Sequence, residues 1–167
     1  MKTASLFAPP YESDADLDAA VAAYRRFLAP KGVCVTVLRK SGRRALVYVY
    51  RIRQLWQDLN SSDVRSYLES IGYHYTTPEH AIATLERRIN GSSGFPHEIG
   101  LFLGYPFEDV LGFIENKGKN CKCCGYWKVY CNECSAKAQF AKFEKCKTVY
   151  RRLWRQGVSL RELTVVA

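Results

Sequence analysis

VCVTVLRKSGRRALVYVY, residues 33–50, carries the clearest fold signal in the chain. Two runs rich in β-branched and aromatic residues, VCVTVL (33–38) and ALVYVY (45–50), flank a short basic turn around Ser41-Gly42. Such runs of strand length joined by a Gly-containing turn predict a β-hairpin. On its N-terminal side, Ser13 with Asp16 forms a capping box ahead of Leu17, Ala20, Val21, Tyr24, Phe27 and Leu28. That i, i+3, i+4, i+7 spacing gives a helix one apolar face, and Pro30 with Gly32 stops it.

Beyond the hairpin the period changes from two to 3.6. Ile52, Leu55, Trp56 and Leu59 predict a short helix, and Val64, Tyr67, Leu68 and Ile71 a second, begun near Ser61 or Ser62 and ended by Gly72. Thr77 caps a third with Pro78 at its first position, burying Ile82, Leu85 and Ile89. Asn90-Gly91-Ser92-Ser93-Gly94 reads as a flexible break, the one candidate boundary in an otherwise single domain over 1–167.

IGLFL (99–103) reads as a buried strand. Tyr105-Pro106 then opens a helix carrying Phe107, Val110, Leu111 and Ile114, and Gly118 can close it. GYWKVY (125–130) reads as a further strand. Asn132 caps a long helix running to about Gln156, along which Phe143, Cys146, Val149, Tyr150, Leu153 and Trp154 make the expected core stripe. Ser159 with Glu162 is a last capping box. Strand, helix, strand implies a parallel βαβ crossover. The expected fold is therefore α+β: a small mixed sheet, from the N-terminal hairpin and a βαβ-like C-terminal half, packed by about five to six helices.

The chain has 167 residues, 47% of them hydrophobic, which is ordinary globular composition. No apolar run approaches the roughly 18 to 20 residues of a membrane helix, and the N-terminus turns acidic too soon for a secretory leader. The expected location is the cytoplasm, with no membrane partner. Seven cysteines, an odd number, suit thiols or metal ligands there. Residues 117–156 hold 11 Lys and Arg against Glu133 and Glu144, which accounts for the whole formal net charge of +9. A basic third of this kind favours an anionic small molecule, an acidic protein surface or nucleic acid.

HEIGLFLGYPFEDVLGFIENKG (97–118) and CGYWKVY (124–130) resemble domain-of-unknown-function family 3793, found mainly in anaerobic bacteria. The similarity extends to KTASLF (2–7), YVYR (48–51) and SLRELTV (159–165), and so to nearly the whole chain. The resemblance implies no established activity. It implies a link to redox or iron physiology, through gene neighbours of flavodoxin and iron-uptake type. Members carry, ahead of the KTASLF-like stretch, a segment with a Cys and a Pro-Thr pair. This chain begins just before KTASLF, so a site built on that cysteine is not expected in it.

Three constellations could carry chemistry. Cys121, Cys124, Cys131 and Cys134 spell C-x2-C-x6-C-x2-C, a spacing that suits zinc or iron, with Cys123 extra. An extended GYWKVY would span roughly 20 Å at about 3.3 Å per residue and hold the pairs apart, so a strand there and a shared ion exclude one another. The strand is the expectation, with Cys34 and Cys146 as packing residues. His97-Glu98 could serve as acid and base or bind metal, although neighbours on an extended chain point to opposite faces. Gly104-Tyr105-Pro106, where a strand would meet a helix, could bind an anion with help from Lys117, Lys128, Tyr50 and Arg51. Glu108 and Asp109 fit there as complements of the helix dipole. No G-x-G-x-x-G, P-loop or G-x-S-x-G motif is present. Three functions follow: a small ligand-binding or accessory protein, an enzyme using His97 or a cysteine on an anionic substrate, or a nucleic-acid binder.

Overall fold

A computed structural model describes residues 2–91 and 94–166. The fold is α+β, with eight α-helices and two small antiparallel sheets among the described residues. The chain divides into two compact units, residues 1–104 with 166–167, and residues 105–165. Ser92 and Ser93, inside the expected break at 90–94, lie outside the described residues.

The first unit is built on the hairpin. Strands β2 (Val33–Ser41) and β3 (Arg44–Arg51) pair antiparallel, and Gly42 takes the turn at φ +57°. A further strand, β1 (Ala4–Phe7), pairs with the other edge of β3, giving the order β1-β3-β2. Four residues near the chain start are too short a run for periodicity to reveal. Helix α1 (Asp14–Leu28), capped by Ser13 accepting from the Asp16 N–H, lays Leu17, Val21 and Leu28 on Val33, Val35 and Ala45. The alternate residues Tyr48 and Tyr50 are also buried, which is why β3 reads as a continuous apolar run.

Helices α2 (Ile52–Leu59), α3 (Ser62–Ser70) and α4 (Pro78–Asn90) follow where the period predicts them, with Thr77 capping α4. Arg39 donates to the Ile89 carbonyl and Asn90 to that of Leu38, tying the end of α4 to β2. IGLFL is not a strand. It is a single helical turn, α5 (Ile99–Phe102), after a turn at His97-Glu98. Every residue of α5 is buried, so it is apolar on all sides and shows no period. The Tyr48 hydroxyl donates 2.5 Å to the Phe102 carbonyl, pinning this turn to the central strand. Next comes Gly104 at φ +73°, where a Cβ would stand 2.5 Å from Thr3 Oγ1 and 2.7 Å from Thr3 Cβ.

The second unit holds α6 (Phe107–Glu115), a hairpin of β4 (Cys123–Cys124) and β5 (Lys128–Val129), the 23-residue α7 (Glu133–Arg155) capped by Asn132, and α8 (Leu160–Leu163). GYWKVY is therefore not one strand: only Lys128 and Val129 are strand, and Gly125-Tyr126-Trp127 is the turn. With IGLFL helical and both sheets antiparallel, the expected parallel βαβ crossover is absent among the described residues. The expected core stripe of α7 is also different. Phe143 and Leu153 are half-buried, while Cys146, Val149, Tyr150 and Trp154 are exposed.

Two outcomes follow from this packing. Gly104→Ala must hold a side chain at positive φ, which costs about 1–3 kcal/mol before the contact with Thr3 is counted. Urea denaturation should show at least that loss, and an unchanged midpoint would contradict the packing. Burial raises the phenol of Tyr50 to about 12 and also raises those of Tyr48 and Tyr73. An unfolded chain releases these protons near pH 10 while the native state keeps them. Stability is then constant with respect to these groups below about pH 10 and falls as pH climbs toward 12. Melts followed by tyrosinate absorbance should show ionisation arriving together with unfolding; ionisation of all eleven tyrosines in a folded protein would refute it.

Candidate functional site

Tyr50, Arg51, His97 and Glu98 belong to the first unit, and Tyr105, Lys117 and Lys128 to the second. Within the first, the adjacent pair diverges. His97 is exposed, while Glu98 is 6% exposed. Arg88 Nε donates 2.6 Å to Glu98 Oε1, and the Tyr73 hydroxyl donates 3.1 Å to the same oxygen. The guanidinium also lies 5.2 Å from the Tyr73 ring centroid and donates to the Ile71 carbonyl. Burial and then the Glu98 charge push the Tyr73 phenol far up, so it stays a donor. Glu98 is thus a buried carboxylate already met by two donors, linking α4 and the residues after α3 to the HEIG turn. Tyr50 stacks on Tyr48 at 4.8 Å, and its hydroxyl is hydrogen-bonded to Cys34. Burial raises the Cys34 thiol, as suits a half-buried packing residue.

The second unit is organised by a carboxylate that the spacing did not single out for this role. Asp109, 3% exposed in the first turn of α6, accepts from Trp127 Nε1 at 2.7 Å and from the backbone N–H groups of Tyr130 and Cys131 at 2.8 and 3.0 Å. It therefore fixes both the turn and the exit of the hairpin. Trp127 is held between Tyr105, stacked at 5.1 Å, and Phe140, edge-on at 4.5 Å. A Cβ on Gly125 would lie 2.3 Å from the Phe140 ring, so the turn reaches α7 only because this position is glycine. Gly125 beside Cys124 was the available sequence clue, since a glycine inside a strand-like run marks a bend.

Lys128 donates 2.6 Å to the Gly118 carbonyl and lies 5.8 Å from the Phe113 ring centroid. Lys117 precedes that glycine at φ +50°, and Asn120 follows at φ +58°. The basic loop 117–120 and Lys128 are thus adjacent. Burial raises the Tyr105 phenol, consistent with its place in the aromatic stack.

All seven cysteines are thiols. The hairpin folds the residues between the two C-x2-C pairs back on themselves, so the expected 20 Å extended spacer does not separate them. Cys123, which lies outside the two pairs, and Cys124 alternate across β4. Among the described residues, no three His, Cys, Asp or Glu side chains form a group that could hold a metal ion. Lys122 Nζ donates to the Cys131 carbonyl, and Cys134 stands in the first turn of α7. Cys146, expected to pack, is exposed.

A three-stranded antiparallel sheet covered by helices, followed by an aromatic hairpin and a long basic helix, defines an α+β chain in which Glu98, Asp109 and Lys128 are engaged internally. Residues 1–164 match the family model described as "Protein of unknown function (DUF3793)", and the chain belongs to that family. No curated protein and no solved structure matches it.

Asp109→Asn turns one acceptor oxygen into an N–H donor facing donors. Hydrogen bonds to charged groups contribute about 1.5–3 kcal/mol each, so a loss of at least about 2 kcal/mol is expected in chemical denaturation. The emission of Trp127 should also shift to the red. A variant as stable as the parent would show that Asp109 does not hold the hairpin.

Proposed function

We propose that this chain is a small cytosolic binding or accessory protein whose partner is anionic, working in redox or iron physiology. The observation that carries the binding reading is the disposition of charge. The segment 117–156 contains the whole net charge, and its lysines and arginines from Lys137 to Arg155 lie on exposed positions of α7. The redox or iron context rests on the family resemblance and on five thiols grouped between Cys121 and Cys134. Catalysis by His97 or a cysteine receives less weight: the carboxylate beside His97 is buried and engaged by Arg88 and Tyr73. Nucleic acid is the second reading. It gains from exposed Tyr150 and Trp154, which stand beside basic side chains in the manner of a stacking site.

Charge-driven association releases counterions and weakens as salt rises. The purified full chain should bind polyglutamate and oligothymidylate at low salt, and both should weaken at least about tenfold as ionic strength goes from about 0.05 to about 0.2 M. Charge reversal at Lys142, Lys145 and Lys147 should lower binding in parallel. Tighter binding of oligothymidylate would favour the second reading. Absence of binding to either probe at low salt would remove the proposal.

A further inference from the structure

Helix α7 changes character along its length. Up to Phe143 its apolar side chains are used within the second unit: Phe140 meets Tyr126 and Trp127, and Phe143 meets Tyr126 at 5.1 Å. Past that point most of its apolar side chains are exposed. Val149 is 36% exposed, Tyr150 41% and Trp154 60%, and Cys146 is exposed beside them. At about 100° per residue these four, with half-buried Leu153, fall on one arc of the helix. On the same wheel Lys145 and Arg152 border one edge of the arc, and Lys147 and Arg151 the other. An apolar stripe with a Trp and a Tyr, rimmed by Arg and Lys, has the composition of an interface core and its rim.

We infer that the second half of α7 is a docking surface for an acidic protein segment that carries apolar side chains. The inference rests on the anion-binding reading above and adds the partner's class and the face it uses. Charge complementarity selects the occupant. Residues 133–156 hold seven Lys and Arg against Glu133 and Glu144, so a second copy of the helix would meet like charge. A bilayer is a poorer match, because Cys146 and Tyr150 occupy the centre of an arc whose strongly apolar members are Val149, Leu153 and Trp154. Single-stranded nucleic acid would find the adjacent rings of Tyr150 and Trp154, but the rest of the arc, Cys146 and Val149, offers further bases nothing to stack on.

The test compares four probes on the full chain: a Glu-rich peptide with Leu and Phe at i, i+3, i+4 spacing, polyglutamate, anionic phospholipid vesicles, and oligothymidylate. The peptide should bind at least about tenfold more tightly than polyglutamate of equal charge. Tyr150→Ala with Trp154→Ala should lower peptide affinity by at least about tenfold and change polyglutamate affinity by less than about twofold. Circular dichroism should show the helix retained, since both side chains are exposed; Val149→Ser repeats the test if it is not. Equal affinity for peptide and polyglutamate, or indifference of the peptide to these substitutions, overturns the inference and leaves the anion-binding reading standing. Vesicles or oligothymidylate that outbind the peptide and depend on Trp154 overturn it in favour of lipid or nucleic acid. A dimer that Trp154→Ala converts to monomer in sedimentation overturns it in favour of self-association. Failure of every anionic probe removes both readings together.

Discussion

A carboxylate taken out of water must be met by donors, and two buried carboxylates organise this molecule. Glu98 receives the Arg88 guanidinium and the Tyr73 hydroxyl. Asp109 receives the Trp127 indole N–H and two backbone N–H groups. An unmet buried charge costs several kcal/mol, whereas a met one fixes the geometry of whatever supplies its donors. Glu98 sets the turn between α4 and α5. Asp109 makes a hairpin of two-residue strands into a defined object, although a ribbon that short has little stability alone. The HEIGLFLGYP stretch is explained by the same rule. Glu98 is bonded, Ile99 to Leu103 are buried, and Gly104 fits where a methyl group would strike Thr3.

The elements with one buried face were legible in the sequence. The hairpin 33–50, α1 with its Ser13 cap, and α4 with Thr77 and Pro78 all stand where period and capping placed them. Legibility failed where a segment has no face. Residues 99–103 are buried all round, so a helical turn and a strand present the same apolar string. Residues 125–130 misled for a different reason. Their aromatic content suggests a strand, yet Tyr126 and Trp127 occupy a turn because their rings pack on Phe140 and Phe143. Tertiary packing overrides propensity there, and only Gly125 signalled it.

The candidate site was legible in its residue types more than in their roles. His97 and Glu98 read as an acid–base pair, but one faces solvent while the other is bonded inside. Asp109 read as a dipole complement, since nothing local announces that three donors will come from residues 18 to 22 positions later. The thiols show the limit of spacing as evidence. The pattern C-x2-C-x6-C-x2-C specifies neighbours along the chain, and the spacer expected to be one extended strand is instead a hairpin.

The stripe on α7 was read correctly as a pattern and wrongly as a core. Period 3.6 states that one side of a helix is apolar; it does not state what covers that side. In the second unit the hairpin reaches as far as Phe143, and the helix extends about twelve residues beyond it, or roughly 18 Å at 1.5 Å per residue. Tyr150 and Trp154 sit on that extension, and their rings would be a poor choice for a face meant only for water. The surrounding lysines and arginines keep such a face soluble and repel other copies of it. In the docking proposed above they would draw in an acidic partner over a distance set by the Debye length, about 8 Å at physiological salt. On that proposal charge would govern how fast the partner arrives, and the apolar arc how long it stays.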